Sequence, residues 1–278
     1  MNRILYSLVV SVVAVGHVWA GTLELEGQLM QGGLMQGRTD PDAEVTFDGQ
    51  PVRISEAGVF LIGFGRDAPP QAKLVATFAD GSREWRELKV GQRKYKTQRI
   101  DGLPPRKVTP SEEDLVRIGR ETALIKQARA QDDTRTDFLN GFIWPAKGRI
   151  TGVYGSQRIL NGEPRRPHFG LDIAAPVGTP VVAPASGIVT LTHPDMFYSG
   201  GTLILDHGHG LSSTFIHLHQ ILVKQGDYVQ QGDVIAEIGV TGRARGAHLD
   251  WRINLFTRRL DPQLILEAMP SAAAQAAN

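Results

Sequence analysis

Histidines are concentrated in one part of the chain. Of the eight histidines, seven lie between residues 168 and 248. Two short segments there each contain a histidine and a carboxylate: His168-Phe169-Gly170-Leu171-Asp172 and Ala247-His248-Leu249-Asp250. Imidazole nitrogen and carboxylate oxygen are the strong ligands left for a divalent metal in a chain without cysteine, and Zn²⁺ accepts both. The two segments therefore predict a metal site.

The spacing within each segment predicts how its ligands reach one ion. In an extended strand His248 and Asp250 project from the same face roughly 6.6 Å apart, close enough to line one site. His168 and Asp172 would lie roughly 13 Å apart, too far for one ion with ligand bonds of about 2 Å. The chain must therefore bend between them. Gly170 at the midpoint predicts a bulge or kink, which glycine adopts at little steric cost.

The composition excludes several other kinds of chemistry. The absence of cysteine removes disulfides, thiol nucleophiles and thiolate metal sites. The 30 lysines and arginines nearly balance the 29 aspartates and glutamates, which argues against a nucleic-acid-binding protein. The length of 278 residues predicts two domains. The 31 glycines and 16 prolines predict many tight turns, as in a mainly β protein.

The first residues predict export. A mainly apolar run over residues 4–15 follows Arg3, and Val18-Trp19-Ala20 resembles a signal-peptidase cleavage site. Residues 1–20 are therefore predicted to be a signal peptide and the protein to reach the periplasm or cell envelope, with no membrane span after cleavage. Removal of Arg3 would leave a formal net charge of zero. An uncleaved anchor is the alternative, although the run is shorter than the roughly 20 residues that a span needs.

The remaining chain divides into four segments. Residues 21–105 alternate apolar and polar side chains between Asp-Gly turns, which predicts a β-sandwich-like accessory domain. Residues 106–141 are a predicted helical linker, whose helix begins at Thr109-Pro110-Ser111-Glu112 and ends near residue 131. Leu115, Ile118 and Ile125 give this helix one narrow apolar stripe. Residues 142–265 contain the histidine segments, and residues 266–278 are a predicted flexible tail.

Several motifs within residues 142–265 occur in the order found in one enzyme family. They are the segment 165–176, Gly178-Thr179-Pro180-Val181, Ala183-Pro184-Ala185-Ser186-Gly187, Leu205-Asp206-His207-Gly208, Phe215-Ile216-His217-Leu218 and Thr241-Gly242-Arg243 before Ala247-His248-Leu249. This order resembles that of the lysostaphin or LytM-type zinc metallopeptidases, which cleave peptide bonds in bacterial peptidoglycan. The resemblance implies an antiparallel β-sheet peptidase domain.

The resemblance also implies roles for individual residues. His168 and Asp172 take the positions of zinc ligands. His217 and His248 take the positions of the two histidines beside the metal-activated water, where His248 is expected to accept its proton and His217 to stabilise the oxyanion or protonate the leaving amine.

One ligand position departs from the family pattern. The third ligand of the family is a histidine, and this chain has Asp250 there. Carboxylate oxygen is an established zinc ligand, so a set of His168, Asp172 and Asp250 is expected, with a less acidified water or a different metal preference. Arg252, two residues further on, replaces the usual glutamate of the family. It either holds Asp250 in place as a ligand or pairs with it and leaves no third ligand.

The resemblance implies a zinc-dependent endopeptidase, with one zinc ion per chain, that hydrolyses peptide cross-links of peptidoglycan. A catalytically degenerate LytM-type regulator, which activates another cell-wall hydrolase, is one alternative. A non-catalytic cell-wall binding module is another, since the segment 224–235 resembles the turns of biotinyl or lipoyl carrier domains. The expected partners are peptidoglycan peptides and, for the regulator, a second hydrolase. The N-terminal domain and helix are expected to position the peptidase domain or to cover its groove.

Overall fold

The computed structural model describes residues 21–269 and has a mainly β fold, as the sequence predicts. The predicted signal peptide and residues 270–278 of the predicted tail lie outside the described residues. No helix between residues 21 and 269 combines the length and the apolar character needed to cross a membrane.

The N-terminal region is a sandwich of two antiparallel sheets. Its strands are β1 (Leu23–Gly27), β2 (Leu34–Thr39), β3 (Glu44–Phe47), β4 (Gln50–Val52), β5 (Val59–Gly63), β6 (Gln71–Thr77) and β7 (Arg83–Lys89). One sheet has the order β1-β2-β5 and the other β4-β3-β6-β7. Phe60 of the first sheet and Phe47 and Leu74 of the second lie in one buried cluster. The alternation of apolar and polar residues therefore predicts this region correctly.

A strand and two helices connect this sandwich to the rest of the chain. They are β8 (Thr97–Ile100), α1 (Pro105–Val108) and α2 (Glu112–Arg129). The predicted helix is α2, but its cap differs from the prediction: Ser111 is the N-cap and accepts a hydrogen bond from the backbone N–H of Asp114. Arg106 also binds the Asp114 carboxylate through two nitrogens. This ion pair favours the cap at Ser111 over the one at Thr109.

The predicted apolar stripe of α2 is only partly buried. Ile125 packs with Leu191 and Ile204 in a small cluster against the C-terminal sheet. Leu115, at the other end of the stripe, remains 55% exposed. The second half of α2 therefore attaches the helix to the C-terminal region.

The C-terminal region is built on a large antiparallel sheet. Its elements are β9 (Arg149–Gly152), β10 (Gln157–Leu160), β11 (Glu163–Arg165), β12 (Leu171–Ala174), β13 (Pro180–Val182), β14 (Gly187–Met196), β15 (Gly200–Asp206), β16 (Leu211–Ile221), β17 (Tyr228–Val229), β18 (Val234–Ile238), β19 (His248–Leu255), β20 (Arg258–Leu260) and α3 (Pro262–Ala268). The main order is β17-β14-β15-β16-β19-β12-β9. The hairpin β10-β11 lies apart and pairs with β8 in parallel.

Helix α3 begins at Pro262, directly after the N-cap Asp261, whose side chain accepts a hydrogen bond from the backbone N–H of Gln263. Ile265 is buried and Leu266 packs against the main core. Residues 266–268, assigned to the flexible tail from the sequence, therefore belong to a docked helix.

Candidate metal centre

Two neighbouring strands bring the carboxylates of Asp172 and Asp250 together. Strands β12 and β19 pair antiparallel, and the two aspartates are direct partners in the register. Directly opposed residues of antiparallel strands project from the same face of a sheet. Gly152 of β9 is the partner of Asp172 on its other side. A Cβ at Gly152 would lie 2.1 Å from Asp172 Oδ2, so a glycine there leaves room for the carboxylate.

His168 completes the cluster from the loop before β12. Its Nε2 lies 3.0 Å from Asp172 Oδ1 and 3.3 Å from Asp250 Oδ2. The chain therefore bends between His168 and Asp172, as their spacing requires. Gly170 itself lies at a bend of the chain, as predicted, and it has a second role. A Cβ there would lie 2.1 Å from Asp250 Oδ1 and 2.7 Å from the Arg252 side chain, so glycine provides space for this pair.

The arrangement of these three side chains fits a bound divalent metal. All three are buried, and one ligand atom from each lies within 4.8 Å of the others. Among residues 21–269, His168 Nε2 and Asp172 Oδ1 have no partner with hydrogen-bond geometry, despite their short separation. Ligand bonds of about 2.0–2.2 Å in a tetrahedron place ligand atoms about 3.3–3.6 Å apart. The two separations from His168 Nε2, 3.0 and 3.3 Å, are close to that value.

Each carboxylate of the cluster is also paired with an arginine. Arg252 binds Asp250 through two nitrogens, at 2.9 and 2.6 Å, and Arg158 Nη2 lies 3.2 Å from Asp172 Oδ2. Burial favours the protonated form of Asp250, but Arg252 and His168 hold its pKa well below the usual value. The pKa of Asp172 is also lowered, because His168 and Arg158 outweigh burial and the charge of Asp250. Both carboxylates are therefore ionised at neutral pH.

His217 and His248 lie beside the cluster with their ring centroids 4.8 Å apart. Nδ1 of His217 is 2.9 Å from the carbonyl oxygen of Thr241, and Nδ1 of His248 is 2.8 Å from that of Gly246. A carbonyl oxygen only accepts hydrogen bonds, so in each ring Nδ1 carries the proton and the neutral ring has a free lone pair at Nε2.

His217 is held in an unusual conformation. Its φ is +68°, a left-handed backbone conformation that residues with a side chain rarely adopt. Burial lowers its pKa to about 4, so the ring is neutral at neutral pH. His248 Nε2 lies 3.8 Å from Asp172 Oδ1, at the edge of the cluster.

The cluster opens into a cleft of about 390 Å³ that Asp172, His217 and His248 line. One wall comes from the connecting segment rather than from the large sheet, because Gln98, Ile100 and Leu103 also line the cleft. The side chain of Asn161 fixes this wall by accepting a hydrogen bond from the Leu103 N–H and donating one to its carbonyl. The segment before residue 142, in which the sequence showed no chemistry, thus helps to shape the site.

Other histidines lie away from the cluster. His207 is fully buried, with Nδ1 2.7 Å from the Ser186 carbonyl and Nε2 2.8 Å from the Ser213 hydroxyl. His209 is buried against Phe138. The geometry assigns His207 a structural role.

A match to a protein-family model identifies the domain that contains this cluster. The model of peptidase family M23 matches residues 166–262. Residues 166–262 belong to peptidase family M23. All five candidate site residues lie in this M23 domain, and the resemblance to lysostaphin and LytM-type peptidases is confirmed.

Relatives of the M23 domain include named peptidases and a lipoprotein. Peptidoglycan DD-endopeptidase ShyA of Vibrio cholerae is 38% identical over 111 residues, which span 39% of this chain and 25% of that protein. A lipoprotein NlpD/LppB homolog of Pseudomonas aeruginosa is 32% identical over 124 residues, or 45% of this chain and 39% of that protein. The chain thus matches about a quarter of the length of ShyA.

One solved structure resembles most of the chain. A peptidase M23 structure from Pseudomonas aeruginosa is 29% identical, with a TM-score of 0.66, and the match covers 87% of this chain and 96% of that chain. The likeness therefore extends beyond the M23 domain into the N-terminal sandwich.

Two groups that shape the candidate metal centre carry no recognisable signal in the sequence. Arg158 lies on β10 outside any recognisable motif, and only the fold brings it to Asp172. Gly152 likewise carries no signal of its own, since its importance arises from the side chain across the strand pair.

Proposed function

We propose that this protein is a zinc-dependent endopeptidase that hydrolyses peptide cross-links of bacterial peptidoglycan. The observation that carries the proposal is the convergence of His168, Asp172 and Asp250 in one buried cluster beside an open cleft of an M23 domain. The name of the relative ShyA, a peptidoglycan DD-endopeptidase, supports this substrate class. The proposed location is the periplasm or cell envelope, where this polymer lies.

The residues proposed to hold the zinc ion are His168, Asp172 and Asp250. Arg252 and Arg158 fix the orientation of the two carboxylates, as outer partners of metal ligands do. Their positive charges also offset the second carboxylate, so the weaker electrophile expected from the ligand set alone need not result. A bound zinc ion supplies Lewis-acid chemistry, by lowering the pKa of a water and polarising a carbonyl group.

The two cleft histidines are proposed to handle the protons. Nε2 of neutral His248 accepts the proton that the attacking water releases, and the protonated ring then delivers it to the leaving amine. Nε2 of neutral His217 has no hydrogen to donate to an oxyanion, because its proton lies on Nδ1. His217 is therefore proposed to accept a hydrogen bond from the attacking water and orient it.

Digestion of purified cell-wall sacculi tests the proposal. The full chain is expected to release new amino termini, and a chelator is expected to abolish this release. His248→Gln and His217→Gln should each lose most of the activity while they retain the bound metal. Release of amino termini that continues undiminished in the chelator would contradict a metal-dependent peptidase.

The regulator alternative is favoured by one observation. Both oxygens of Asp250 are engaged by Arg252, which would leave the cluster without a third ligand if this pair persists in the presence of metal. A regulator predicts no release from sacculi by this chain alone, but increased release when a second cell-wall hydrolase is added.

A further inference from the structure

The cleft that opens from the metal centre carries a strong excess of positive charge. Four arginines line it, and Asp172 is the one acidic residue among the described residues that does so. The four are Arg149, Arg158, Arg243 and Arg245. The whole chain has a formal net charge of only +1. The positive charge in this cleft is therefore a local feature rather than a property of the whole surface.

Three of these arginines have no acidic partner in the part of the chain that the structure describes. Within residues 21–269, no carboxylate oxygen lies within 4.0 Å of the guanidinium nitrogens of Arg149, Arg243 or Arg245. Arg245 donates to the carbonyl oxygen of Asp101, and Arg243 donates to that of Lys107. Neutral carbonyl groups satisfy hydrogen bonds but do not cancel a charge.

Arg243 is the least exposed of the three arginines. Its guanidinium lies 4.6 Å from the centre of the Tyr198 ring and is half-buried. Burial and the nearby charge of Arg158 lower its pKa to about 10, so it stays protonated at neutral pH. Two neighbouring guanidinium groups repel each other, and an anion bound between them relieves this repulsion.

The position of the arginines relates them to the bond proposed to be cut. Arg243 and Arg245 lie on the loop that leads into β19, whose first residue is His248. Arg149, Ala174 and His248 are partners across β9, β12 and β19. Because the side chain of Ala174 is small, it leaves space in the cleft between Arg149 and His248.

We propose that Arg243, together with Arg158, forms a subsite that recognises a free carboxylate of the substrate peptide close to the cleaved bond. This inference rests on the proposed peptidase function and deepens it. Planar guanidinium groups match a carboxylate through paired hydrogen bonds. The carboxylate belongs either to a chain end or to a side chain, and both present the same group to the arginines.

Three synthetic peptides that share one cleavable bond test the subsite. The first ends in a free carboxylate one residue after that bond, the second has an amidated end and a side-chain carboxylate at that residue, and the third is neutral at both positions. The full chain is expected to cleave one of the two acidic peptides with at least tenfold higher kcat/KM than the neutral one. In Arg243→Gln this ratio should fall to near one, and Arg243→Lys should retain part of it.

Arg99→Gln is the matched control, because Arg99 is an exposed residue of β8 that does not line the cleft. Its ratio of kcat/KM between the acidic and the neutral peptide should equal that of the unmodified chain. Equal rates for all three peptides with the unmodified chain would overturn the subsite while leaving the peptidase intact. An unchanged ratio in a folded Arg243→Gln would also overturn it.

A binding measurement distinguishes failure of the proposed subsite from failure of the proposed function. Calorimetry of the same peptides with the full chain in chelator is expected to show tighter binding of one acidic peptide than of the neutral one. If no peptide is cleaved but this preference in binding persists, the peptidase proposal fails and the subsite stands. If cleavage occurs and binding shows no preference for an acidic peptide, the subsite fails.

Discussion

Glycine at position 170 provides the space in which Asp250 and Arg252 meet. A Cβ added there would lie 2.1 Å from Asp250 Oδ1, closer than real contacts allow. Gly170→Ala is therefore expected to displace the Asp250 carboxylate and weaken zinc binding at least tenfold, as measured by competition with a fluorescent chelator. Gly65→Ala is the control, since a Cβ there meets no atom within 4 Å. Equal zinc affinities in Gly170→Ala and the control would refute this role.

Burial of His207 predicts a pH dependence of stability. Burial lowers the pKa of His207 from 6.5 to about 4. The folded protein then binds fewer protons than the unfolded chain between about pH 4 and pH 6.5, so the contribution of His207 to stability is complete above pH 6.5 and is lost as the pH falls to 4. The shift corresponds to about 3 kcal/mol.

Urea unfolding at pH 7 and pH 4.5 measures this contribution. His207→Gln should lose less stability between the two pH values than the unmodified chain. His219→Gln, at an exposed position, should not differ from it. Asp206, whose pKa burial raises to about 6, acts in the opposite direction and is present in all three proteins. Identical pH dependence in His207→Gln and the unmodified chain would contradict the assignment.

Helix α2 is attached to the M23 domain by one end of its apolar stripe. Ile125 packs with Leu191 and Ile204, whereas Leu115 is 55% exposed. Ile125→Ala is expected to lower the free energy of unfolding by about 1–2 kcal/mol, because the side chain is partly buried. Leu115→Ala should change it by less than about 0.5 kcal/mol. Comparable losses in the two variants would show that the stripe packs differently.

The sequence predicts elements where the local pattern is unambiguous. The strands of the sandwich follow from alternation, and Asp48-Gly49 has the positive φ values of a tight hairpin turn. The sequence predicts a start of α2 that is too early, because Thr109-Pro110 and Ser111-Glu112 both form acceptable starts. The ion pair between Arg106 and Asp114 lies outside both patterns. Local sequence patterns thus predict that an element exists, and tertiary contacts determine the residues at which it begins and ends.

The candidate ligands His168, Asp172 and Asp250 could be proposed from the sequence for a chemical reason, because a chain without cysteine leaves few donors for a metal. The arginines that surround the site could not be predicted from the sequence. Arg158 lies on β10, which pairs with β8 in a sheet separate from the large one, and only the fold brings it to Asp172. Arginine is common on protein surfaces, and the role of these arginines depends on residues that are distant in sequence.

At the scale of the whole molecule, the two predicted domains share a core. Leu34, Val59 and Leu61 of the N-terminal sandwich belong to the same buried cluster as Leu255 and Leu260 of the M23 domain. Arg93 of the connecting segment also pairs with Asp261 at 2.8 Å. The sandwich and the large sheet are therefore not independent units.

Calorimetry tests this shared core. The chain of residues 21–278 is expected to unfold in a single cooperative transition, and Leu61→Ala should lower its midpoint as a whole. Trp85→Ala, at a position that is 64% exposed, is the matched control and should leave the midpoint nearly unchanged. Two separate transitions, of which Leu61→Ala shifts only one, would contradict a common core.

The central claim is that His168, Asp172 and Asp250 hold one zinc ion, and metal analysis tests it most directly. The purified full chain is expected to contain one zinc ion per chain, and Asp250→Ala is expected to lose it or bind it at least tenfold more weakly. Asp227→Ala, an exposed aspartate remote from the cluster, should keep the full content. Stoichiometric zinc of equal affinity in Asp250→Ala and the unmodified chain would contradict ligation by Asp250.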